Sequence, residues 1–336
     1  MFNLKKLRRE RDDDDPIVAS SDLAVNFKGV SHTYGAQRAL RGISFQVPKQ
    51  TIHGFVGPNG AGKSTALKLI ATMIELQAGT IQVFGRSVDL KPHTIRPLTG
   101  YMPDRPCAYQ EMTVFEYLDF YGAGYGLNEE ERDAAIRHLL ELTDMTSRRD
   151  YIIRGLSRGM QQRVSLMRVL VYDPDLLLLD EPAAGLDPRA RIELMQILRE
   201  LRSLGKSIIV SSHILTELAD LCDTVTVVDR GHIKYTGDLD GLLVRDHENP
   251  TFGLRLSERF DDLDLLIGEL PGVVWVERVR SSSVYPEYRI TIDLDETSTN
   301  ELLSHVVSLG APVATFQRSF RHLHQAFLDL TSGGVT

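Results

Sequence analysis

The sequence has few of the residues that would indicate a disulfide framework, a zinc cluster or a membrane span. Its 336 residues include only two cysteines and a single tryptophan. Cys107 and Cys222 form neither a CxxC pair nor a Cys/His cluster, which argues against structural zinc and disulfides and fits a reducing cytosol. No apolar run approaches the roughly 20 residues that a transmembrane helix needs. Any work at a membrane is therefore expected to pass through a partner protein.

Basic residues are also fewer than acidic ones. The chain has 38 Lys and Arg against 46 Asp and Glu, which gives a formal net charge of -8. An acidic chain lacks the broad basic surface that binds nucleic acid, so no nucleic-acid partner is expected. The start of the chain is basic, but no apolar stretch follows it, so a signal peptide is not expected. Phe2 departs from the pattern for N-terminal myristoylation. Residues 1–21 are predicted to form a disordered tail, with a weak membrane-surface contact through Leu4 and Leu7 as the alternative.

What the chain does contain, from residue 22 to about 240, is an alternation of strand and helix patterns that predicts an α/β domain with parallel central strands. The four consecutive leucines Leu176–Leu179 are typical of a strand buried on both faces. Helical patterns dominate residues 105–172, which are expected to form a subdomain. The pattern breaks at 241–251, a predicted linker. Residues 252–336 show a βαββαβ order, which predicts a small α+β domain of the ferredoxin-like kind, followed by a last helix at 321–331.

A glycine-rich motif follows the predicted strand at 51–56 and precedes a predicted helix. It reads Gly57, Pro58, Asn59, Gly60, Ala61, Gly62, Lys63, Ser64 and Thr65. This is the G-x-x-x-x-G-K-[ST] pattern, whose backbone N–H groups turn around phosphate oxygens at a helix N-terminus. Lys63 is predicted to reach the β- and γ-phosphates, and the Ser64 hydroxyl is predicted to bind Mg²⁺.

Three polar residues follow two other predicted strands and are candidates for the chemistry. Asp180 and Glu181 end the leucine strand, where ligands bind in such sheets. Asp180 is expected to hold Mg²⁺, and Glu181 to orient and deprotonate an attacking water. His213 follows the strand at 207–212 and is expected beside the same edge, bonded to a γ-phosphate oxygen. Lys63, Glu181 and His213 are the predicted catalytic group.

Residues 22–240 as a whole resemble the ATP-binding subunits of ABC transporters, because six motifs occur in the family's order. Besides the phosphate loop and the segment Leu176 to Glu181, four further motifs carry the resemblance. They are the adenine-stacking aromatic Tyr34, the signature Leu156-Ser157-Arg158-Gly159-Met160-Gln161-Gln162-Arg163, the D-loop Ala184-Gly185-Leu186-Asp187 and the switch segment Ser211-Ser212-His213.

This resemblance implies a fold, a set of ligands and a set of partners. The fold is a P-loop nucleotide-binding domain with a mixed sheet core, an antiparallel β subdomain and a helical subdomain. The ligands are ATP and Mg²⁺; contacts to nucleotide are implied for Tyr34, the loop 57–65, Asp104, Ser157, Gly159 and Asp187. Ser64, Asp180 and Asp104 would hold the metal. Since the signature faces the nucleotide of another subunit, two copies, or this chain and a relative, would close head to tail around two ATPs.

Two departures from the family pattern favour one branch of it. The signature is usually Leu-Ser-Gly-Gly-Gln, whereas Arg158 and Met160 stand here, and Asp104 stands where Gln is usual. Both features resemble subunits of drug, antibiotic and polysaccharide exporters, and residues 317–331 resemble the closing helix of such subunits. The expected function is therefore ATP hydrolysis that powers export through a separate polytopic membrane subunit, at the cytoplasmic face of the membrane.

Three alternatives remain at this point. The first is an importer ATPase with a regulatory C-terminal domain, and the second is a soluble ABC ATPase acting on DNA or ribosomes. The chain has neither the long insertions nor the second cassette of those soluble relatives. The third is a degenerate structural cassette, against which Lys63, Asp180, Glu181 and His213 are all present.

Overall fold

A computed structural model describes residues 22–105, 109–218, 220–243, 249–260, 262–279, 286–318 and 330–331. The predicted tail 1–21 lies outside these residues. Of the predicted last helix, only Leu330 and Thr331 are described, and both are helical. Within the described parts of the chain, no helix is long and apolar enough to cross a membrane.

The chain divides into two compact units, whose boundary falls between Leu239 and Asp240. From the sequence, the boundary was predicted as a linker at 241–251, which begins two residues after Leu239. Leu330 and Thr331 group with the first unit rather than with the second, whereas the sequence assigned them to the C-terminal domain.

The strands of the first unit form two sheets. In chain order they are β1 (Leu23–Tyr34), β2 (Gln37–Pro48), β3 (Ile52–Val56), β4 (Ala78–Val83), β5 (Arg86–Ser87), β6 (Thr99–Met102), β7 (Leu176–Leu179), β8 (Ser207–Ser212), β9 (Thr224–Asp229) and β10 (His232–Gly237). The smaller sheet has the order β2-β1-β4-β5 and is antiparallel. The larger has the order β10-β9-β3-β8-β7-β6, with β10 antiparallel at its edge.

The helices of the first unit follow most of the sequence predictions. They are α1 (Lys63–Ile70), α2 (Pro92–Ile95), α3 (Val114–Gly124), α4 (Glu129–Leu142), α5 (Arg158–Leu170), α6 (Pro188–Ser203) and α7 (Leu215–Leu218). The next helix, α8 (Leu239–Leu243), spans the boundary between the two units. Side chains cap several of them, as the Asp187 carboxylate does when it accepts a hydrogen bond from the Ala190 N–H at 2.9 Å. Such a cap satisfies an N–H group that the helix itself leaves unpaired.

The parallel strands bring the site residues to one edge of the larger sheet. β3, β8, β7 and β6 are neighbours and run in the same direction. Their carboxyl ends therefore meet side by side, and the segments that begin at Gly57, Asp180 and His213 leave the sheet together. All residues of β3, β7 and β8 are buried, as the continuous apolar run in β7 predicts.

The core of the first unit lies where apolar residues of both sheets pack with α1. The antiparallel sheet supplies Phe27, Val30 and Ile81, and the larger sheet supplies Phe55 and Leu178, among others. Phe27 and Phe45 stack with their ring centroids 4.6 Å apart. This packing fixes α1 against the central strands, and it thereby also fixes the phosphate loop that precedes α1.

Beyond α8, the described residues of the second unit form a four-stranded antiparallel sheet with two helices. Its elements are β11 (Thr251–Leu256), α9 (Leu263–Gly268), β12 (Val273–Val279), β13 (Glu287–Ile292), α10 (Thr299–Ser308) and β14 (Val313–Arg318). The strand order β12-β13-β11-β14 is that of a ferredoxin-like unit with the βαββαβ sequence of elements. Its own core contains Leu254, Tyr288 and Leu302, so the unit buries apolar surface independently of the first.

Candidate functional site

The loop 57–62 joins β3 to α1, and two of its glycines, Gly57 and Gly62, lie too close to neighbouring backbone to be replaced without a shift. A Cβ atom on Gly57 would lie 2.1 Å from the Val228 carbonyl oxygen. Gly62 has φ of +109° and a Cβ there would lie 2.6 Å from the Ala39 carbonyl oxygen. The Gly57 N–H donates to the Ser212 carbonyl at 3.1 Å, which ties the loop to the neighbouring strand β8.

The Lys63 ammonium folds back over this loop. Its Nζ atom donates to the carbonyl oxygens of Gly57 at 2.7 Å and Pro58 at 3.3 Å. The same atom lies 3.1 Å from Oε1 of Glu181. The residue is only 6% exposed, and a buried cation requires partners of this kind. A positive charge therefore stands at the phosphate loop beside the predicted catalytic carboxylate.

Glu181 lies between that lysine and His213. Its Oε2 atom is 2.8 Å from Nδ1 of His213, while Oε1 makes the ion pair with Lys63 without the geometry of a hydrogen bond. The backbone of Glu181 has φ of +50°, a left-handed conformation that is uncommon for residues other than glycine. The structure thus brings the three predicted catalytic residues together.

Asp180 is 2% exposed and has two hydroxyl partners. Ser211 Oγ donates to its Oδ1 at 2.7 Å, and the Tyr101 hydroxyl donates to its Oδ2 at 3.3 Å. Each carboxylate oxygen has further lone pairs, so the group could still accept from metal-bound water. Mg²⁺ in proteins commonly uses one or two carboxylates with water and substrate phosphates. Asp180 with the Ser64 hydroxyl fits that donor chemistry.

The role of Tyr101 could not be seen in the sequence. Burial raises the pKa of its phenol well above the ordinary value, and the nearby charge of Asp180 and the hydrogen bond to it act in the same direction. Tyr101 therefore remains a hydrogen-bond donor at neutral pH. The charge of Asp104, which is exposed after β6, also raises this pKa, so Asp104 lies within electrostatic reach of the site.

The remaining predicted contacts lie on the surface. Tyr34 ends β1, is 47% exposed, and meets the His32 ring edge-on at 4.7 Å. Ser157 caps α5 by accepting from the Met160 N–H at 3.4 Å. Gly159 lies close to α6, because a Cβ on it would be 3.0 Å from the Ala190 methyl carbon. Their roles toward nucleotide stay predictions.

One contact links the signature helix α5 to the catalytic segment. The Gln162 side chain is buried, and its Nε2 donates to the Pro182 carbonyl at 2.8 Å. Pro182 directly follows Glu181. The sequence did not predict this contact, because Gln162 was identified there only as part of the signature motif.

Comparisons with known proteins show what this chain is similar to. The ABC transporter family model matches residues 40–184. The chain is 37% identical over 213 residues to a Nod factor export ATP-binding protein I of Sinorhizobium fredii, covering 63% of this chain and 62% of that relative, which is less than two thirds of its length. It is 30% identical over 309 residues to an uncharacterized ABC transporter ATP-binding protein, YxlF, of Bacillus subtilis, covering 91% of this chain and 99% of that one.

A solved structure of an ATP-binding subunit of an ABC transporter matches with a TM-score of 0.59 at 32% identity, covering 65% of this chain and 91% of that one. The protein therefore belongs to the ATP-binding proteins of ABC transporters, a class of ATPases. The family resemblance and the α/β nucleotide-binding fold expected from the sequence are confirmed.

Proposed function

We propose that this protein hydrolyses MgATP and thereby powers export through a separate membrane subunit. The observation that carries the proposal is the placement of the Glu181 carboxylate between Lys63 Nζ and His213 Nδ1, at 3.1 and 2.8 Å. A general base and a cation at the phosphate loop are groups that phosphoryl transfer to water uses, and a polar ring beside the base can hold the base in place.

Each residue of the site has a distinct part in this proposal. The loop 57–65 and Lys63 bind the phosphates, and Glu181 accepts a proton from the attacking water. His213 holds Glu181 in place and bonds a γ-phosphate oxygen. Asp180 and Ser64 hold Mg²⁺, with Asp104 near it. When bound, Mg²⁺ neutralises part of the phosphate charge during transfer.

The proposal includes a second ATPase subunit, most simply an identical one. Ser157 and Gly159 begin α5, whose free N–H groups form an anion site at the helix N-terminus. In one subunit these residues would face the phosphates held by loop 57–65 of the other, and Asp187 would lie beside them. Two equivalent sites then arise from one two-fold interface.

Export, rather than another use of ATP, is supported by the relatives and by the signature. Several relatives are named as Nod factor export ATP-binding proteins, which include that of Sinorhizobium fredii. Arg158 and Asp104 also favour the exporter branch. The helical subdomain at 105–172 would meet the membrane subunit at the cytoplasmic face. It exposes aromatic side chains, among them Tyr109 and Phe120, which are 47% and 50% exposed.

The membrane partner can be identified with a trapped subunit. A tagged Glu181→Gln protein is expressed in cells, membranes are solubilised with MgATP present, and copurifying proteins are identified by mass spectrometry. A polytopic membrane protein in stoichiometric amount is the expected result. A matched control carries Lys63→Ala in addition and should lose the closed dimer. If only soluble proteins copurified while the dimer was intact, the export proposal would be wrong.

A further inference from the structure

The hydroxyl of Ser211 bonds to both acidic residues at the end of β7. We propose that Ser211 is a positioning residue that sets the metal-holding carboxylate of Asp180 and the backbone of Glu181 at the same time. This inference rests on the proposed function, because it assigns Ser211 to the ATP-hydrolysing site described above.

Strand pairing places Ser211 where it can make both contacts. On the adjacent parallel strands β7 and β8, Leu179 pairs with Val210, so Asp180 and Ser211 each follow that pair by one residue. Ser211 is 0% exposed. Its Oγ lies 2.7 Å from Oδ1 of Asp180 and 2.9 Å from the backbone N of Glu181.

The chemistry of the partners fixes the direction of both hydrogen bonds. An ionised carboxylate only accepts, and a backbone N–H only donates. The single Ser211 proton therefore points to Asp180, and an Oγ lone pair accepts from Glu181. One hydroxyl satisfies a buried acceptor and a donor together, so its removal would leave both without that partner.

The bond to the Glu181 N–H has a second consequence. Glu181 has φ of +50°, a left-handed conformation that is unfavourable for a residue with a side chain. The contact from Ser211 offsets part of this cost. It holds the turn that directs the Glu181 side chain between Lys63 and His213.

Ser207 offers a matched control on the same strand. It is 1% exposed, and its Oγ also accepts from a backbone N–H, that of Gln50, at 3.0 Å. It begins β8, whereas Ser211 lies near the end of the strand. Ser207→Ala removes a buried hydroxyl and one backbone contact without touching either carboxylate.

The experiment compares Ser211→Ala, Ser211→Thr and Ser207→Ala in the full chain. Three quantities are measured: kcat for ATP, the Mg²⁺ concentration for half-maximal activity, and affinity for a fluorescent ATP analogue with EDTA and with Mg²⁺. Ser211→Ala should lower kcat about tenfold and raise the Mg²⁺ requirement severalfold, with metal-free nucleotide affinity unchanged. Ser211→Thr, which keeps a hydroxyl, should recover most of both, and Ser207→Ala should stay within about twofold of the parent.

Two results would overturn the assignment. One is a Ser211→Ala protein that matches Ser207→Ala in kcat and in Mg²⁺ requirement. The other is a Ser211→Ala protein that loses metal-free nucleotide affinity in proportion to kcat, which would indicate general damage. If the parent protein itself hydrolysed no ATP, the proposed function would fail. Ser211 would then still be tested by the Mg²⁺ dependence of nucleotide binding.

Discussion

The Nδ1 atom of His213 lies 2.8 Å from the Oε2 atom of Glu181. These residues follow two neighbouring parallel strands, and the contact between them ties the carboxylate of one to the ring of the other. The second oxygen of that carboxylate faces Lys63. Glu181 is thus oriented from both sides, which would reduce the reorganisation that its proposed role as a general base needs.

Replacing Glu181 by Gln should abolish most ATP hydrolysis and leave ATP binding intact. The amide has nearly the same shape but cannot take a proton from water, so kcat should fall about 10² to 10⁴-fold. In the proposed head-to-tail mechanism, hydrolysis opens the dimer, so this variant should elute as a dimer with MgATP in size-exclusion chromatography.

Glu200→Gln is a suitable control, since Glu200 is exposed near the end of α6. It should keep the parental kcat. A Glu181→Gln protein that stayed monomeric with MgATP would count against the head-to-tail mechanism.

His213→Ala should lower kcat at least about tenfold, because Glu181 loses the partner that orients its Oε2 atom. The affinity for ATP should change less than kcat, since Lys63 and the loop still hold the phosphates. Steady-state kinetics and nucleotide titration separate the two effects. His232→Ala, which removes an exposed ring from β10, should have no effect, and an equal loss in both variants would refute a specific role for His213.

Parts of this site could be predicted from sequence because they depend on strand ends alone. The carboxyl ends of parallel strands share an edge, so Asp180, Glu181 and His213 were expected together, and the structure joins Glu181 to His213. Tyr101 and Ser211 were missed as partners of Asp180. Their contacts depend on the pairing of β6 and β8 with β7, and the chain order does not give that pairing.

Helix ends were predicted less well than helix positions. The helix predicted after the glycine-rich motif ends at Ile70, and Thr72 beyond it has φ of +55°. The first helix of the predicted βαββαβ unit spans Leu263–Gly268, and Asp262 before it has φ of +60°. Left-handed residues end helices most often at glycine. Here Thr72 adopts that conformation after α1, and Asp262 adopts it before α9. The sequence signals neither.

Tyr101→Phe should weaken Mg²⁺ binding without removing activity. The phenol donates to Asp180 over 3.3 Å, a long bond, so its loss should raise the Mg²⁺ concentration for half-maximal activity a few fold. Titration of ATPase activity against Mg²⁺ at fixed ATP measures this. Tyr125→Phe is the control, because Tyr125 stacks on Tyr172 away from the carboxylates, and the two variants should differ clearly.

Gly57→Ala should destabilise the first unit and abolish nucleotide binding. Its methyl carbon would lie 2.1 Å from the Val228 carbonyl oxygen, and backbone must move to relieve the overlap. The free energy of unfolding should fall by about 2 kcal/mol or more. Gly155→Ala is the control, since a Cβ there meets nothing within 4 Å. Thermal unfolding should distinguish the two, and equal melting temperatures would contradict the packing described at the loop.

His53 should make the protein lose stability in acid. The ring is 1% exposed, with Nδ1 2.8 Å from Thr224 Oγ1 and Nε2 3.0 Å from Thr226 Oγ1. Burial lowers the pKa of His53 from 6.5 to about 3. Below pH 6.5 the His53 ring therefore binds a proton in the unfolded chain but stays neutral in the folded protein. The contribution of His53 to the free energy of unfolding is fully present above pH 6.5. It falls as the pH is lowered toward 3, by up to about 1.4 kcal/mol per pH unit.

Urea unfolding between pH 4.5 and 8 tests this against two variants. His53→Gln keeps an amide that can donate and accept but does not titrate, so its stability should fall less steeply below pH 6.5 than that of the parent. His138→Gln removes an exposed histidine of α4 and should keep the parental slope. Because carboxylates contribute equally to all three proteins, the difference in slope isolates His53. Identical slopes in the parent and His53→Gln would mean that the ring takes up its proton in the folded protein.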